Sequence, residues 1–376
     1  MKVDFFKQKK INQPYKKDLL CAIENLIDGK SKLVLGDYSR RFEDLFAKYI
    51  GCRYCSFVSN GIDALSIALK VINVKKDDEI LVPNHTYIAT WLSALNLGCI
   101  IVAVPVKEDS LLIDENQIET YITPKTKAII PVHIYGIPTN IEKINQIAKD
   151  NNLVVIDDAA QAHGSTKGGK KIGNIFNMSC FSFYPTKSLG ALGEAGCITT
   201  NNIDFYEKIN LIKNCGKSFT NSSILPMQVS NYRGDELQAA FLISKLNNLE
   251  NIVYKRRLIL KTYKRLENLN TKNKLSLLPY TNESAPYLAV IRLKNQNIRN
   301  SLIEYLKGKN IQTMIHYAKP CHLQHFIKKN KVRISKYTST QALEISNTIL
   351  SLPMSEVHSE KEINYVIECI NQFFKN

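Results

Sequence analysis

Hydrophobic and polar positions change their rhythm three times along this chain of 376 residues. From about residue 14 to 49, LLCAIENLI and SRRFEDLFAKYI place apolar residues three and four apart, the spacing of one helix face. Asn60-Gly61 marks a turn, and DALSIALKVI after it predicts a helix with Asp63 in its first turn. Short apolar runs then alternate with helical stretches. The runs are EILVP, CIIVAVPV, TKAIIPVHIYG, NLVVIDDAA, SCFSFYP and GCITT, and the helical stretches include TYIATWLSALNLG and NIEKINQIAKDN. Such alternation predicts an α/β fold, a mostly parallel sheet with helices on both faces. From about 235 to 267 a long helical run, DELQAAFLISKLNNLENIVYKRRLILKTYKRL, breaks the pattern. Beyond it, PYLAVIRLK, a helix near 299 to 308 and IQTMIHY predict a small α+β domain. The expected division is a large domain over 1–245 and a small one over 246–376, with the long helix as the hinge.

Composition narrows the class of protein. Hydrophobic residues make up 44% and charged residues 22%, enough apolar surface for a sizeable core. No apolar run approaches the roughly 20 residues of a membrane span. The start, MKVDFFKQKKINQPYKK, is basic but lacks the apolar segment of a secretory signal. Nine scattered cysteines, an odd number, read as reduced thiols of a cytoplasmic protein. Cys52 and Cys55 form a lone CxxC without a second pair, so no metal site is expected. The net charge of +16 is dispersed, and its strongest clusters, Lys7 to Lys17 and Lys255 to Arg257, are short. With no zinc-finger spacing and no RNA-binding motif, a nucleic-acid partner is not expected. Most of the charge is a Lys- and Asn-rich bias, and the rest suits an enzyme with an anionic substrate and cofactor.

Ligands of parallel α/β sheets collect at the carboxyl ends of strands, and four polar features fall there. NLVVID ends in Asp157 and Asp158, followed by Gln161. SCFSFYP ends near Ser182, then Lys187. SFVSNG ends at Asn60 and Gly61, at a helix start, and EILVPNHTY ends at His85 and Tyr87. Lys187 stands in FSFYPTKSLGALGEAG with no acid before Glu194. An ion pair would hold its amine protonated, so a lysine without one fits a nucleophile. An aspartate, a lone lysine, a flat aromatic and a helix N-terminus together match the needs of pyridoxal 5'-phosphate. Its aldehyde takes a lysine amine, its ring nitrogen an aspartate, its ring face an aromatic and its phosphate free backbone N–H groups.

The motifs VIDDAAQAHGS, FSFYPTKSLGALGEAG, SNGIDAL, PVHIYG and SNYRGDELQAA resemble those of the DegT/DnrJ/EryC1/StrS sugar aminotransferases, from about residue 30 to the C-terminal LSLPM. The resemblance implies a fold-type I enzyme with a large, mostly parallel seven-stranded sheet domain and a small α+β C-terminal domain. Lys187 resembles the Schiff-base lysine and Asp158 the partner of the ring nitrogen. Gln161 resembles the residue that reaches the phenolic oxygen, and Tyr87 the aromatic that covers the ring. Ser182, Gly61 and Ile62 fall where the family binds phosphate, although Ile62 replaces a common Thr and its hydroxyl. Asp157 replaces a common Glu, and Tyr287 stands where many relatives carry His. His163 matches the family too, as a structural or a catalytic histidine. Asn231 resembles a residue sent into the neighbouring subunit's site, which implies a homodimer with shared active sites.

HTYIATWL and IHYAKPCHLQ, with His316, Tyr317 and His322 as expected substrate contacts, resemble the subgroup that aminates C3. The implied reaction converts a dTDP-3-keto-6-deoxyhexose to a dTDP-3-amino-3,6-dideoxyhexose with L-glutamate as donor, for a surface polysaccharide or glycoconjugate. An alternative is amination at C4 of a UDP- or dTDP-4-keto sugar. Relatives that act as dehydratases carry His at the lysine position, which Lys187 argues against. A non-enzymatic regulator or nucleic-acid-binding protein would leave Lys187, Asp158, Gln161 and Ser182 idle.

Overall fold

A computed structural model describes residues 1–217, 229–268, 274–327 and 331–375. The strands are β1 (Tyr54–Val58), β2 (Glu79–Pro83), β3 (Ile100–Val104), β4 (Thr126–Ile129), β5 (Val154–Asp158), β6 (Thr166–Lys167) and β7 (Lys170–Lys171). They continue with β8 (Met178–Ser182), β9 (Gly196–Thr200), β10 (Leu275–Leu277), β11 (Ala289–Leu293), β12 (Val332–Arg333) and β13 (Ile349–Leu352). The α-helices begin with α1 (Gln8–Asn12), α2 (Lys16–Ile27), α3 (Asp37–Ile50), α4 (Gly61–Val71), α5 (Ile88–Leu95) and α6 (Ile141–Asp150). After them come α7 (Ile203–Lys213), α8 (Glu236–Leu246), α9 (Leu249–Tyr263), α10 (Gln296–Gly308), α11 (Lys336–Thr348) and α12 (Glu360–Lys375).

The main sheet has the order β1-β9-β8-β5-β4-β2-β3-β12. From β8 to β12 all neighbours are parallel, and β9 joins β8 and β1 antiparallel. The central strands are apolar on both faces because helices cover both, as in β3, where Ile101 to Val104 are fully buried. α3 turns Phe42, Phe46 and Ile50 to one side of the sheet, a spacing of four that keeps them on one helix face. It stops at Gly51, whose φ of +81° a residue with a Cβ adopts only under strain, and whose N–H bonds back to the Ala47 carbonyl at 2.8 Å. α4 and α5 cover the other side, with Ile67, Leu69 and Trp91 fully buried.

Three expectations change in detail. The main sheet has eight strands rather than seven, because Val332 and Arg333 pair beside Ile101 and Val102 of β3. The long helical run breaks at Asn247-Asn248 into α8 and α9, and the Asn248 amide donates to the Tyr15 hydroxyl (3.0 Å), a long-range bond that ties the break to the N-terminal segment. IQTMIHY is not a strand. It makes isolated bridges from Ile311 to Val3 and from Met314 to Ser351, beside an antiparallel sheet of order β10-β11-β13.

Candidate active site

The carboxyl ends of the parallel strands open on a cavity of ≈ 630 Å³. Asp158, Gln161, Ser182, Lys187, Tyr87, Gly61, Ile62, His316 and Tyr317 all line it. At the end of β5 the two consecutive acids point to opposite faces, as strand geometry requires. Asp158 faces the cavity, where its carboxylate accepts from Thr90 Oγ1 (2.7 Å) and the Ala160 N–H (3.2 Å). Burial pushes its pKa up, against the lowering effects of those two donors and of the Lys187 charge. Such a carboxylate is primed to take a cationic N–H partner. Asp157 turns away to His133 Nε2 (2.7 Å) and the Ser179 hydroxyl (3.1 Å). The Thr139 N–H donates to His133 Nδ1 (3.0 Å), which leaves Nε2 on the side of Asp157.

Lys187 rides on a tight turn after β8. Its N–H bonds to the Tyr184 carbonyl (2.9 Å), and the Ala191 N–H closes the turn on Phe183 (2.7 Å). A Cβ at Gly190 would sit 2.4 Å from the Pro185 carbonyl oxygen, so the turn needs glycine there. The buried Lys245 ammonium holds the Gly190 carbonyl from outside (2.9 Å). Lys187 itself is half-buried, with Nζ over the Tyr287 ring, 4.5 Å from its centroid. Tyr287 is fixed in turn by a hydrogen bond between its hydroxyl and Thr186 Oγ1 (2.9 Å).

The start of α4 lies against Ser182. The Asn60 side chain caps the helix by accepting from the Asp63 N–H (2.9 Å), while the N–H groups of Gly61 and Ile62 have no intrahelical acceptor. A Cβ on Gly61 would meet Ser182 Cβ at 2.6 Å, so glycine lets the helix end and the hydroxyl converge. Two free N–H groups, a hydroxyl and a helix dipole make an anion cradle. Gln161 Oε1 accepts from the Tyr135 N–H (2.6 Å) and Nε2 donates to the Tyr317 hydroxyl (2.6 Å), which leaves one amide hydrogen for a ligand. Tyr87, exposed at the start of α5, comes within 6.0 Å of the Tyr317 ring.

Two expected residues lie elsewhere. His322 does not line the cavity; its Nε2 pairs with the Ser339 hydroxyl of α11 (2.9 Å). Asn231 is exposed, bridges to Asn214, and is not part of its own chain's cavity. His163 also lies outside it, packed between the Phe181 and Phe183 rings (5.6 and 5.5 Å). Conversely, Thr90 bonds to Asp158, and Arg256, Phe5 and Phe6 line the cavity, four positions that no sequence motif singles out. Among the described residues no His, Cys, Asp and Glu side chains group as metal ligands, and no helix is long and apolar enough to cross a membrane.

Three histidines near the site have pKa values pushed far down from 6.5: His85 to about 3 by burial and Arg292, His163 to about 3 by burial and the Lys187 charge, and His316 to about 4 for the same two reasons. Below pH 6.5 the unfolded chain binds protons that these folded, neutral rings refuse. Stability therefore falls with pH from about 6.5 towards 4. Each ring should cost about 2 kcal/mol at pH 5 relative to pH 7.5, partly offset by Asp158, whose raised pKa acts in the opposite direction. Urea unfolding at the two pH values checks this; an unchanged free energy would show that the rings are protonated in the folded state.

The donor set fits pyridoxal phosphate. An acid awaits the ring nitrogen, an amine the aldehyde, an anion cradle the phosphate, and ≈ 630 Å³ is within the usual range for a cofactor site. Fold and site together define a pyridoxal phosphate-dependent aminotransferase. The sequence profile of the DegT/DnrJ/EryC1/StrS aminotransferase family matches residues 15–371, and the chain belongs to that family as a sugar aminotransferase. It is 37% identical over 374 residues, 99% of each chain, to the dTDP-3-amino-3,6-dideoxy-alpha-D-galactopyranose transaminase of Aneurinibacillus thermoaerophilus. It is 33% identical, over 85% of this chain and 86% of the other, to the UDP-2-acetamido-2-deoxy-3-oxo-D-glucuronate aminotransferase of Pseudomonas aeruginosa. The crystal structure of S. venezuelae DesV in complex with a ketimine intermediate superposes with a TM-score of 0.92 at 29% identity, covering 100% of this chain and 99% of that one.

Proposed function

We propose that the protein transfers the amino group of L-glutamate to C3 of a dTDP-linked 3-keto-6-deoxyhexose, giving a dTDP-3-amino-3,6-dideoxyhexose in the cytoplasm. The observation that carries this reading is the full-length likeness to a transaminase named for a dTDP-3-amino-3,6-dideoxy sugar. His316 and Tyr317 on the cavity wall supply polar contacts for a sugar beside Lys187. When bound, pyridoxal phosphate supplies an electron-accepting ring and a carbon that carries the amino group from donor to acceptor. Asp158 holds a proton at the ring nitrogen, and Thr90 orients that carboxylate. Ser182 and the N–H groups of Gly61 and Ile62 bind the phosphate, and Tyr87 shields the ring from water. The Lys187 amine takes the proton from the donor's α-carbon and later delivers one to C3 of the sugar.

Incubation with L-glutamate and a panel of 3-keto and 4-keto sugar nucleotides, with NMR of the products, tests the reading. An amine at C3 of the dTDP-6-deoxy sugar is expected. Amination of a 4-keto sugar with no activity on 3-keto isomers would replace it with a C4 enzyme.

The reading includes a homodimer in which Asn231 completes the partner's site, which suits an exposed residue outside its own cavity. Mixing inactive Lys187→Ala with an inactive Asn231→Ala variant should restore activity, because some heterodimers carry one intact site. Subunits shown to exchange without any recovery would remove Asn231 from the neighbouring site.

A further inference from the structure

The first residues of the chain form a strap along one wall of the cavity. Val3 is fully buried, and its N–H and carbonyl bond to Asn310 and Gln312 (both 2.9 Å). The Asp4 carbonyl accepts from His358 Nε2 (2.9 Å), the Phe5 N–H donates to Gln312 Oε1 (2.9 Å), and Lys7 pairs with Glu362. So tethered, the strap presents Phe5 and Phe6 to the cavity. The Phe5 ring lies 5.7 Å from His316, whose Nδ1 is fixed by the Ser351 hydroxyl (2.8 Å) and whose ring is close enough to feel the Lys187 charge. Met314 and Met354 line the same cavity. Asp158, Gln161, Ser182 and Lys187 give it a polar side, and the strap gives it an apolar one.

We infer that Phe5 determines specificity for the 6-deoxy edge of the sugar, its ring packing against the C6 methyl; the inference rests on the substrate reading given above. The methyl is the one apolar substituent of a 6-deoxyhexose, and Phe5 is an aromatic wall of the cavity that holds Lys187, with no side-chain hydrogen-bonding group of its own. A hydroxymethyl at C6 would lose water there without gaining a partner. Apolar walls of this kind discriminate against an added hydroxyl by on the order of 10²-fold.

The holoenzyme, Phe5→Ala and Phe5→Leu should be compared on a dTDP-3-keto-6-deoxyhexose and on its 6-hydroxy counterpart. The parent is expected to prefer the 6-deoxy sugar by on the order of 10²-fold in kcat/KM. In Phe5→Ala that preference should fall about tenfold, mostly through KM for the sugar. The glutamate half-reaction, followed without sugar by the cofactor's absorbance, should stay within about twofold. Phe5→Leu keeps an apolar group against the sheet and reads the loss of the ring if the alanine variant does not fold. An unchanged preference in both variants, a parent without preference, or a donor half-reaction that falls in parallel would each overturn the role of Phe5. A parent that aminates no 3-keto sugar overturns the substrate reading and this inference with it, whereas an active parent with unaltered variants overturns the inference alone.

Discussion

Lys187→Ala is expected to lower turnover by at least about 10³-fold while the protein still folds. The loss follows from chemistry, because among the described residues lining the cavity no other carries an amine, and the turn itself is held by main-chain bonds that alanine preserves. The small effect on stability follows from packing. Lys187 is half-buried, and besides its charge effect on Asp158 it forfeits the contact over the Tyr287 ring, worth about 0.5–1 kcal/mol. Turnover and thermal melting on the same preparation separate the two effects. A variant that keeps more than about a thousandth of the parent rate would remove Lys187 from the proton transfers.

Asp158→Asn and Asp157→Asn are expected to part company. The first should cost activity on the order of 10²–10³-fold, since an amide cannot hold a proton on the ring nitrogen by charge and its hydrogen bonds to Thr90 and Ala160 would have to rearrange. The second leaves the cavity untouched. It weakens the buried contacts to His133 and Ser179 instead, so it should cost about 2 kcal/mol of stability with activity near the parent's. Steady-state rates and urea midpoints for both variants make the comparison. Equal losses of activity would mean that both acids reach the cofactor, which their placement on opposite faces of β5 forbids.

Those two acids also show what was legible beforehand. Alternation along a strand and the habit of parallel sheets to bind ligands at their carboxyl ends are local rules, and they placed Asp158, Lys187, Ser182 and the start of α4 at one cavity. Thr90 escaped because it sits in the apolar run of α5, where nothing in the spacing separates a core hydroxyl from one aimed at a carboxylate. Phe5 and Phe6 escaped for a different reason. Their position depends on Val3 pairing with Ile311, a contact between opposite ends of the chain that no local pattern encodes. The resemblance of IHYAKPCHLQ to the C3-aminating subgroup groups His322 with His316 and Tyr317. Tyr317, with φ at +65°, and Pro320 redirect the backbone between them, and His322 ends against α11.

The two residues of β12 have a consequence for how the molecule comes apart. Between the helices of its C-terminal third, the chain returns to the main sheet, pairs with β3, and sends the Arg333 guanidinium to Glu79 of β2 (3.0 Å). One turn into α11, Gln341 Oε1 accepts from the Asn84 amide and the Val106 N–H, and its Nε2 donates to the Val106 carbonyl. Melting α11 and β12 therefore leaves buried polar groups beside the main sheet unpaired, and the two parts should unfold in a single calorimetric transition. A truncation that ends at residue 245 would strip β3 of its outer neighbour β12, leave β2 as its one partner, and remove the bonds that Asn84 makes to Thr338 and Gln341.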